Sequence, residues 1–237
     1  MPIARHDFPT AGALADGLAA HVAAALTARL AQAGQRGGGR AALAVSGGRT
    51  PTRFFQALSR QAVDWSRIDI TLVDERWVDE GSDRSNAALV RANLLQGPAA
   101  AATFVPLYAD AATPEDGLAQ LSARIAALPL PFAAVVLGMG DDGHTASFFP
   151  GGDRLAGALA PAPGQLLETM RAPAAGEPRI TLTLPVLLAA DTLCLHIEGA
   201  GKQRVLEAAL VSGPAEAMPI RAVLTRSERP VEIFWCP

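Results

Sequence analysis

Ala41-Ala42-Leu43-Ala44-Val45-Ser46-Gly47-Gly48-Arg49-Thr50-Pro51 reads as an apolar strand that runs into a glycine turn and then into a helix start, with proline near the first turn. Further apolar runs of strand length lie at Ile68 to Val73, Phe132 to Leu137, Thr192 to Ile197 and Val231 to Trp235. Between and around them, helical spacing is found over residues 11 to 33, Thr52 to Ser59, Ser85 to Leu95, Glu115 to Leu128 and Lys202 to Leu210, each near a Gly, Pro or Ser/Thr/Asp boundary. Gly34 to Gly39 breaks the chain after the first helix, and a short strand is expected around Leu166 to Arg171 inside the Gly- and Pro-rich stretch from Gly151 to Gly176. Alternation of this kind predicts an α/β fold, a mostly parallel sheet covered by helices on both faces. Ligands of such sheets bind beyond the carboxyl ends of the strands, so the loops that follow strands carry the functional reading.

The whole chain of 237 residues is expected to form one domain, residues 1 to 237. Half of it is apolar and 18% is charged, which excludes a disordered or fibrous class. A net charge of -3 offers no general field for nucleic acid or for an anionic membrane. The first residues lack the apolar stretch of a secretory signal, and no uninterrupted apolar run reaches the ~18 residues that span a bilayer. Cys194 and Cys236 both sit in apolar runs and are expected to be free, buried thiols. These features together place the chain in the cytoplasm, with a monomer as the default state.

Three loops carry chemistry. In the first, Gly47 and Gly48 let the backbone approach a ligand, Ser46 and Thr50 add hydroxyls, and the arrangement suits a phosphate. An ordinary strand-to-helix turn with a Thr cap would look the same, and the Gly-Lys-Ser/Thr ending of a nucleotide P-loop is absent. In the second, Asp74-Glu75-Arg76-Trp77-Val78 puts three charges at the end of a buried strand. Arg76 suits a phosphate or a developing oxyanion, and Asp74 and Glu75 suit holding it or orienting water. Spacing alone does not divide these roles, and a solvated Arg–carboxylate pair is the bland alternative. The Ser82-Asp83-Arg84-Ser85-Asn86 segment that follows reads as a helix start with several capping candidates.

The third loop, Gly138-Met139-Gly140-Asp141-Asp142-Gly143-His144-Thr145-Ala146-Ser147, formally satisfies a dinucleotide pattern. Asp141 and Asp142 would oppose a pyrophosphate there, so the pattern is rejected. The glycines instead bend the chain so that His144 projects into a cleft beside Asp142. An imidazole with an ordinary pKa of about 6.5 can take a proton from water, with the carboxylate fixing its tautomer. No second histidine stands at ligand spacing, so no metal is expected. His6, His21 and His196 stand alone and read as structural. Arg179-Ile-Thr-Leu-Thr-Leu-Pro185 and Gly201-Lys202 supply two further cations, which alone would read as surface charges.

Taken in order, Ser46-Gly-Gly-Arg-Thr-Pro, Asp74-Glu-Arg-Trp-Val, Gly138-Met-Gly-Asp-Asp-Gly-His-Thr-Ala-Ser with Phe149-Pro150, Arg179-Ile-Thr-Leu-Thr-Leu-Pro and Gly201-Lys202 resemble the glucosamine-6-phosphate isomerase/6-phosphogluconolactonase family, on its lactonase side. The resemblance covers nearly the whole chain. It implies a Rossmann-like fold of the sugar-phosphate isomerase/deaminase type and hydrolysis of a sugar-phosphate lactone without metal or organic cofactor. It further implies His144 as general base, Asp142 as its orienting partner, and Arg76 and Lys202 as the main cations. Asp74 joins the catalytic set, Ser46, Gly47, Gly48 and Thr50 line the phosphate end, and Arg179 adds an anion contact. Arg49 stands where a small hydroxyl residue is expected, so its side chain is expected to point outward. A glucosamine-6-phosphate deaminase would carry glutamate where Phe149 stands here. A non-enzymatic sugar-phosphate sensor is the alternative from another class, but it has no room for a DNA-binding module before residue 41.

Overall fold

The computed structural model describes residues 3–34, 39–48 and 50–237. Most of the predicted break after the first helix, and the side chain of Arg49, lie outside the described residues. The elements run β1 (Ile3–Asp7), α1 (Ala11–Gly34), β2 (Ala41–Val45), α2 (Thr52–Leu58), β3 (Ile68–Leu72), β4 (Asp74–Arg76), α3 (Asn86–Asn93), β5 (Thr103–Val105) and α4 (Pro114–Ala126). They continue as β6 (Ala134–Leu137), α5 (Leu155–Leu159), β7 (Leu167–Met170), β8 (Arg179–Leu182), α6 (Leu184–Leu188), β9 (Thr192–Glu198), α7 (Gly199–Leu210), α8 (Ile220–Arg226) and β10 (Val231–Cys236).

Seven strands form one sheet in the order β1-β10-β9-β6-β2-β3-β5, with every neighbouring pair parallel. Helices flank this sheet in a three-layer α/β arrangement. Because parallel strands covered on both faces meet no water, their sequences read as unbroken apolar runs, and β2, β3 and β6 are buried at every position. From β2 the chain winds outward through β3 to β5, and from β6 it winds the opposite way through β9 to β10. The winding therefore reverses between β2 and β6, and a crevice opens beyond their carboxyl ends.

At Val73 the chain leaves this sheet. Its N–H donates to Val45 O at 3.0 Å and its carbonyl accepts from Leu182 N at 2.9 Å, so one residue joins both sheets. Asp74–Arg76, expected as the loop after a strand, is instead a short strand in a second, antiparallel sheet of order β4-β8-β7. The expected short strand near residue 166 is β7. Strands β1, β5 and β8 and the short helices α5, α6 and α8 were not anticipated. β1 and β5 close the two edges of the main sheet, and both are only partly buried, so neither shows the apolar run of a central strand.

Helix α1 is by length and composition apolar enough to cross a membrane, although no uninterrupted apolar run in it reaches that length. Here its Leu14, Leu18, Val22 and Leu26 are fully buried in the core, recurring at helical spacing as a face packed on a sheet requires. Cys194 and Cys236 are both free and buried, as expected. Burial pushes both thiols up, so neither is a ready thiolate.

Candidate active site

Across the reversal point, Ser46 ties the first loop to the third. Its backbone N–H donates to Val136 O at 2.9 Å, and its Oγ accepts from Gly138 N at 3.0 Å. The hydroxyl proton of Ser46 is left available for a ligand oxygen. Thr145 Oγ1 donates to Gly138 O at 2.7 Å, Gly140 N donates to His144 O at 2.8 Å, and Ile220 N donates to Gly143 O at 2.9 Å. Gly143 holds φ +77° to close the turn.

Within that turn His144 Nδ1 lies 2.5 Å from Asp142 Oδ1, which also accepts His144 N at 3.1 Å. An ionised carboxylate only accepts, so Nδ1 carries the proton and Nε2 of the neutral ring carries a lone pair. Nε2 has no hydrogen-bond partner among the described residues. Burial alone would push Asp142 up, but the His144 backbone N–H, the His144 charge and the ring hydrogen bond outweigh it and hold the carboxyl below its usual value. A Cβ on Gly140 would meet Asp142 Oδ1 at 2.7 Å and would come nearer still to His144 Nδ1, so only glycine leaves space for this pair. The Phe149 ring covers the imidazole at 4.4 Å between centroids.

The three charges of Asp74-Glu75-Arg76 divide by strand alternation, which sends the first and third side chains to one face and the second to the other. Asp74 and Arg76 line the same cavity as His144. Glu75 is fully buried on the opposite side, where its carboxylate accepts the N–H groups of Arg76, Asn86 and Ala87 at 2.8, 2.9 and 2.8 Å and the Ser85 hydroxyl at 3.2 Å. It satisfies the open first turn of α3 and fixes β4 beneath it. Asp74 accepts Ser147 Oγ at 2.6 Å and lies 4.0 Å from Arg179 Nη1.

Arg76 and Arg179 stand directly opposite each other in the β4–β8 register. Like charges in that position repel. Arg76 Nη1 donates to Arg84 O at 2.8 Å and Arg179 Nη2 to Ala175 O at 2.6 Å. The buried Nε of each has no partner. Burial lowers the Arg179 guanidinium, with Asp74 opposing that shift and Arg76 adding to it. The Arg179 guanidinium also lies over the other member of the His144 stack, the Phe149 ring, at 5.4 Å. Lys202, in the first turns of α7, pairs with the exposed Asp141 at 2.7 Å.

Ser46, Gly47, Gly48, Thr50, Asp74, Arg76, His144, Arg179 and Lys202 all line one cavity of about 350 Å³. Asp142 supports His144 from behind. Residues read as bland also line it. Asn86 donates from Nδ2 to Asp74 O at 3.0 Å, and a Cβ on Gly47 would collide with its side chain. His196, taken as structural, is buried against the edge of Phe54 and pairs through Nε2 with Glu198 at 3.1 Å, and both members of that pair reach the cavity. The signal available in the sequence was Glu198, two positions after His196 on one face of a strand. His6 and His21 lie elsewhere, His6 stacked on Phe234 and His21 edge-on to it, with His6 Nε2 2.6 Å from Glu232. Among the described residues no three His, Cys, Asp or Glu side chains gather as a metal-binding group.

The family described as glucosamine-6-phosphate isomerases/6-phosphogluconolactonase matches residues 10–235. The chain belongs to this family. It is 52% identical over 232 residues to the 6-phosphogluconolactonase of Rhizobium meliloti, covering 98% of each chain. It is 46% identical over 223 residues to that of Pseudomonas aeruginosa, covering 94% of this chain and 90% of that one. The crystal structure of a 6-phosphogluconolactonase from Shewanella baltica superposes with a TM-score of 0.94 at 40% identity, covering 99% of this chain and 98% of that one.

Burial raises the Glu75 carboxyl from 4.5 to about 7, against the pull of the Asn86, Ala87 and Arg76 N–H groups, and the charge of Asp74 adds to the rise. A carboxyl raised on folding stabilises the fold fully below its unfolded value and loses that contribution as pH climbs through the folded value. The stability of the native chain relative to Glu75→Gln should therefore decline by up to about 3 kcal/mol between pH 5 and pH 8. Urea titrations at the two pH values measure it, and a constant difference would show that Glu75 stays ionised under its four donors.

Proposed function

We propose that the chain hydrolyses 6-phospho-D-glucono-1,5-lactone to 6-phospho-D-gluconate in the oxidative pentose phosphate pathway. The observation that carries this reading is the free Nε2 of an Asp142-backed His144 in the same cavity as two guanidiniums with unpartnered Nε groups. A base and an uncompensated cationic pair suit a substrate that joins an electrophilic carbonyl to an anion.

In this reading water attacks the lactone carbonyl as His144 Nε2 takes its proton. Asp142 holds the ring and stabilises the imidazolium that forms. The negative charge that develops on the carbonyl oxygen meets cations and backbone donors already in place. When the ring C–O bond breaks, the proton on His144 passes to the departing ring oxygen, and the base is restored. Ser46, Gly47, Gly48 and Thr50 line the phosphate end, Arg76, Arg179 and Lys202 serve the phosphate and that developing charge between them, and the remote grip on the phosphate places the carbonyl over the base. An acyl-enzyme route is disfavoured by the serines themselves: Ser147 donates its proton to Asp74, and Ser46 is tied to Gly138 with no histidine in contact. A deaminase reading is disfavoured by Phe149, whose ring packs against both His144 and Arg179 at the position where a carboxylate would be needed. The same reading takes the sugar-phosphate lactone as partner, without nucleic acid or membrane, in the cytoplasm, with a monomer as the default state and an oligomer left open.

Lactone hydrolysis followed by proton release over the spontaneous background tests the reading. His144→Ala should lower kcat by about 10²- to 10⁴-fold while the chain stays folded. The lactone lacking phosphate should lose kcat as well as affinity. No native rate above background would end the lactonase assignment. Gly140→Ala should cost kcat about as heavily as removing the base, with thermal stability nearly kept, because its Cβ displaces the Asp142–His144 pair rather than the core. A variant of native activity would show that the pair does not need the geometry seen here.

A further inference from the structure

Arg84 and Glu177 lie outside the cavity lining, yet their ion pair joins the two segments that hold the cavity's guanidiniums. The segment after β4, residues 77 to 85, supplies the Arg84 carbonyl that accepts Arg76 Nη1 at 2.8 Å. The segment before β8, residues 171 to 178, supplies the Ala175 carbonyl that accepts Arg179 Nη2 at 2.6 Å. Neither segment contains a helix or strand. Arg84 Nη1 and Glu177 Oε1 pair the two segments by charge, with no hydrogen bond formed at Oε1, Glu177 Oε2 reaches to 3.8 Å from Arg179 Nη2, and Trp77 N donates to Pro178 O at 2.8 Å. The contacts close a ring, from Arg76 through Arg84 and Glu177 to Arg179 and back to Arg76 across the β4–β8 register.

We propose that the Arg84–Glu177 ion pair is a clasp that positions Arg76 and Arg179 for the substrate's anion. This rests on the lactonase reading for the identity of the substrate, though not for the binding of an anion. Two like charges facing each other tend to turn apart, and a carbonyl on an irregular segment restrains a guanidinium only as firmly as the segment itself is held. The clasp removes that freedom before the ligand arrives, so less ordering has to accompany binding. Arg84 and Glu177 are positioning residues in this scheme and touch no substrate.

Bare electrostatics and the clasp predict opposite signs for one substitution. Glu177→Gln removes a negative charge 3.8 Å from a cation of the site, and on charge alone that should tighten anion binding. If Glu177 acts as a clasp, the same change should weaken binding. The experiment measures KM and kcat on the phosphorylated lactone, and independently the affinity for inorganic phosphate by calorimetry, for the native chain, Glu177→Gln, Arg84→Met, Arg84→Lys and the Glu177→Gln/Arg84→Met pair. Glu177→Gln and Arg84→Met should each raise KM and weaken phosphate binding by about 3- to 10-fold, the scale of one partly exposed ion pair. Their kcat should stay within about two-fold, Arg84→Lys should retain most of the affinity, and the double variant should be no worse than the poorer single one. Unchanged or tighter phosphate binding by a folded Glu177→Gln chain overturns the clasp, as does simple additivity in the double variant. Should Glu177→Gln fail to fold, Arg84→Met at its exposed position decides alone, with native-like phosphate affinity overturning the clasp. A native chain that binds phosphate but gives no lactone turnover overturns the assigned reaction and leaves the clasp to be judged on affinity.

Discussion

The hydrogen bond from Gly138 N to Ser46 Oγ spans the place where the sheet changes its direction of winding. Between β2 and β6 the connections depart to opposite sides, and the backbone there is left to meet either water or a ligand. A side-chain hydroxyl satisfies one N–H at this point without filling the crevice. The Gly47 turn and the Gly138–His144 turn then approach each other, and residues 92 positions apart become walls of one cavity. Everything chemical in the protein is arranged around an opening that the strand order makes unavoidable.

What the opening contains is set by the fold's second device, the departure of the chain at Val73. The small antiparallel sheet brings β8 against β4, so that Arg179 faces Arg76 although more than a hundred residues separate them. The arrangement is electrostatically unfavourable by itself. Burial already lowers Arg179, and the charge of Arg76 lowers it further. Asp74, 4.0 Å from Arg179 and occupied by Ser147, compensates only part of this. A site of this kind has its cost met by the substrate it binds, since an anion placed between two guanidiniums removes repulsion as well as adding attraction. The tension is tolerable because the surrounding carbonyls and the buried Glu75 beneath β4 hold the strand in place.

Legibility followed local physics. Central strands were readable because full burial on both faces leaves an apolar run, as at Ala41–Val45. The turn that carries His144 was readable because glycine, aspartate and histidine at close spacing have few other uses. Edge strands were not: β1 carries Arg5, His6 and Asp7 in five residues, half facing water, so its pattern does not separate from a polar tail. β8 was quoted for its arginine but not recognised as a strand, because four residues are too few for a period to show. The contact between Arg76 and Arg179, and the reach of His196 and Glu198 into the cavity, depend on sheet order and on packing against α2, which no local spacing encodes.

One part of the site is legible in principle. Read as a charged loop, Asp74-Glu75-Arg76 has three roles that cannot be told apart. Taken as a strand, the same residues divide at once, because alternation puts positions 74 and 76 on one face and 75 on the other. Val73 before them and Trp77-Val78 after them already continue a β-prone run. A charged residue beyond a buried strand need face neither a ligand nor solvent. Glu75 shows how: a carboxylate can enter the core when enough donors are gathered for it, and the first turn of α3 supplies two N–H groups, its N-cap Ser85 a hydroxyl and Arg76 a third N–H. A carboxylate between two cavity-facing residues and a helix start some ten positions later is thus a joint. It fastens the strand that presents Asp74 and Arg76 to the helix that carries Asn86, whose side chain in turn fills the space beside Gly47. Through that joint the second loop is registered against the first, and the backbone position of Arg76 becomes a consequence of core packing.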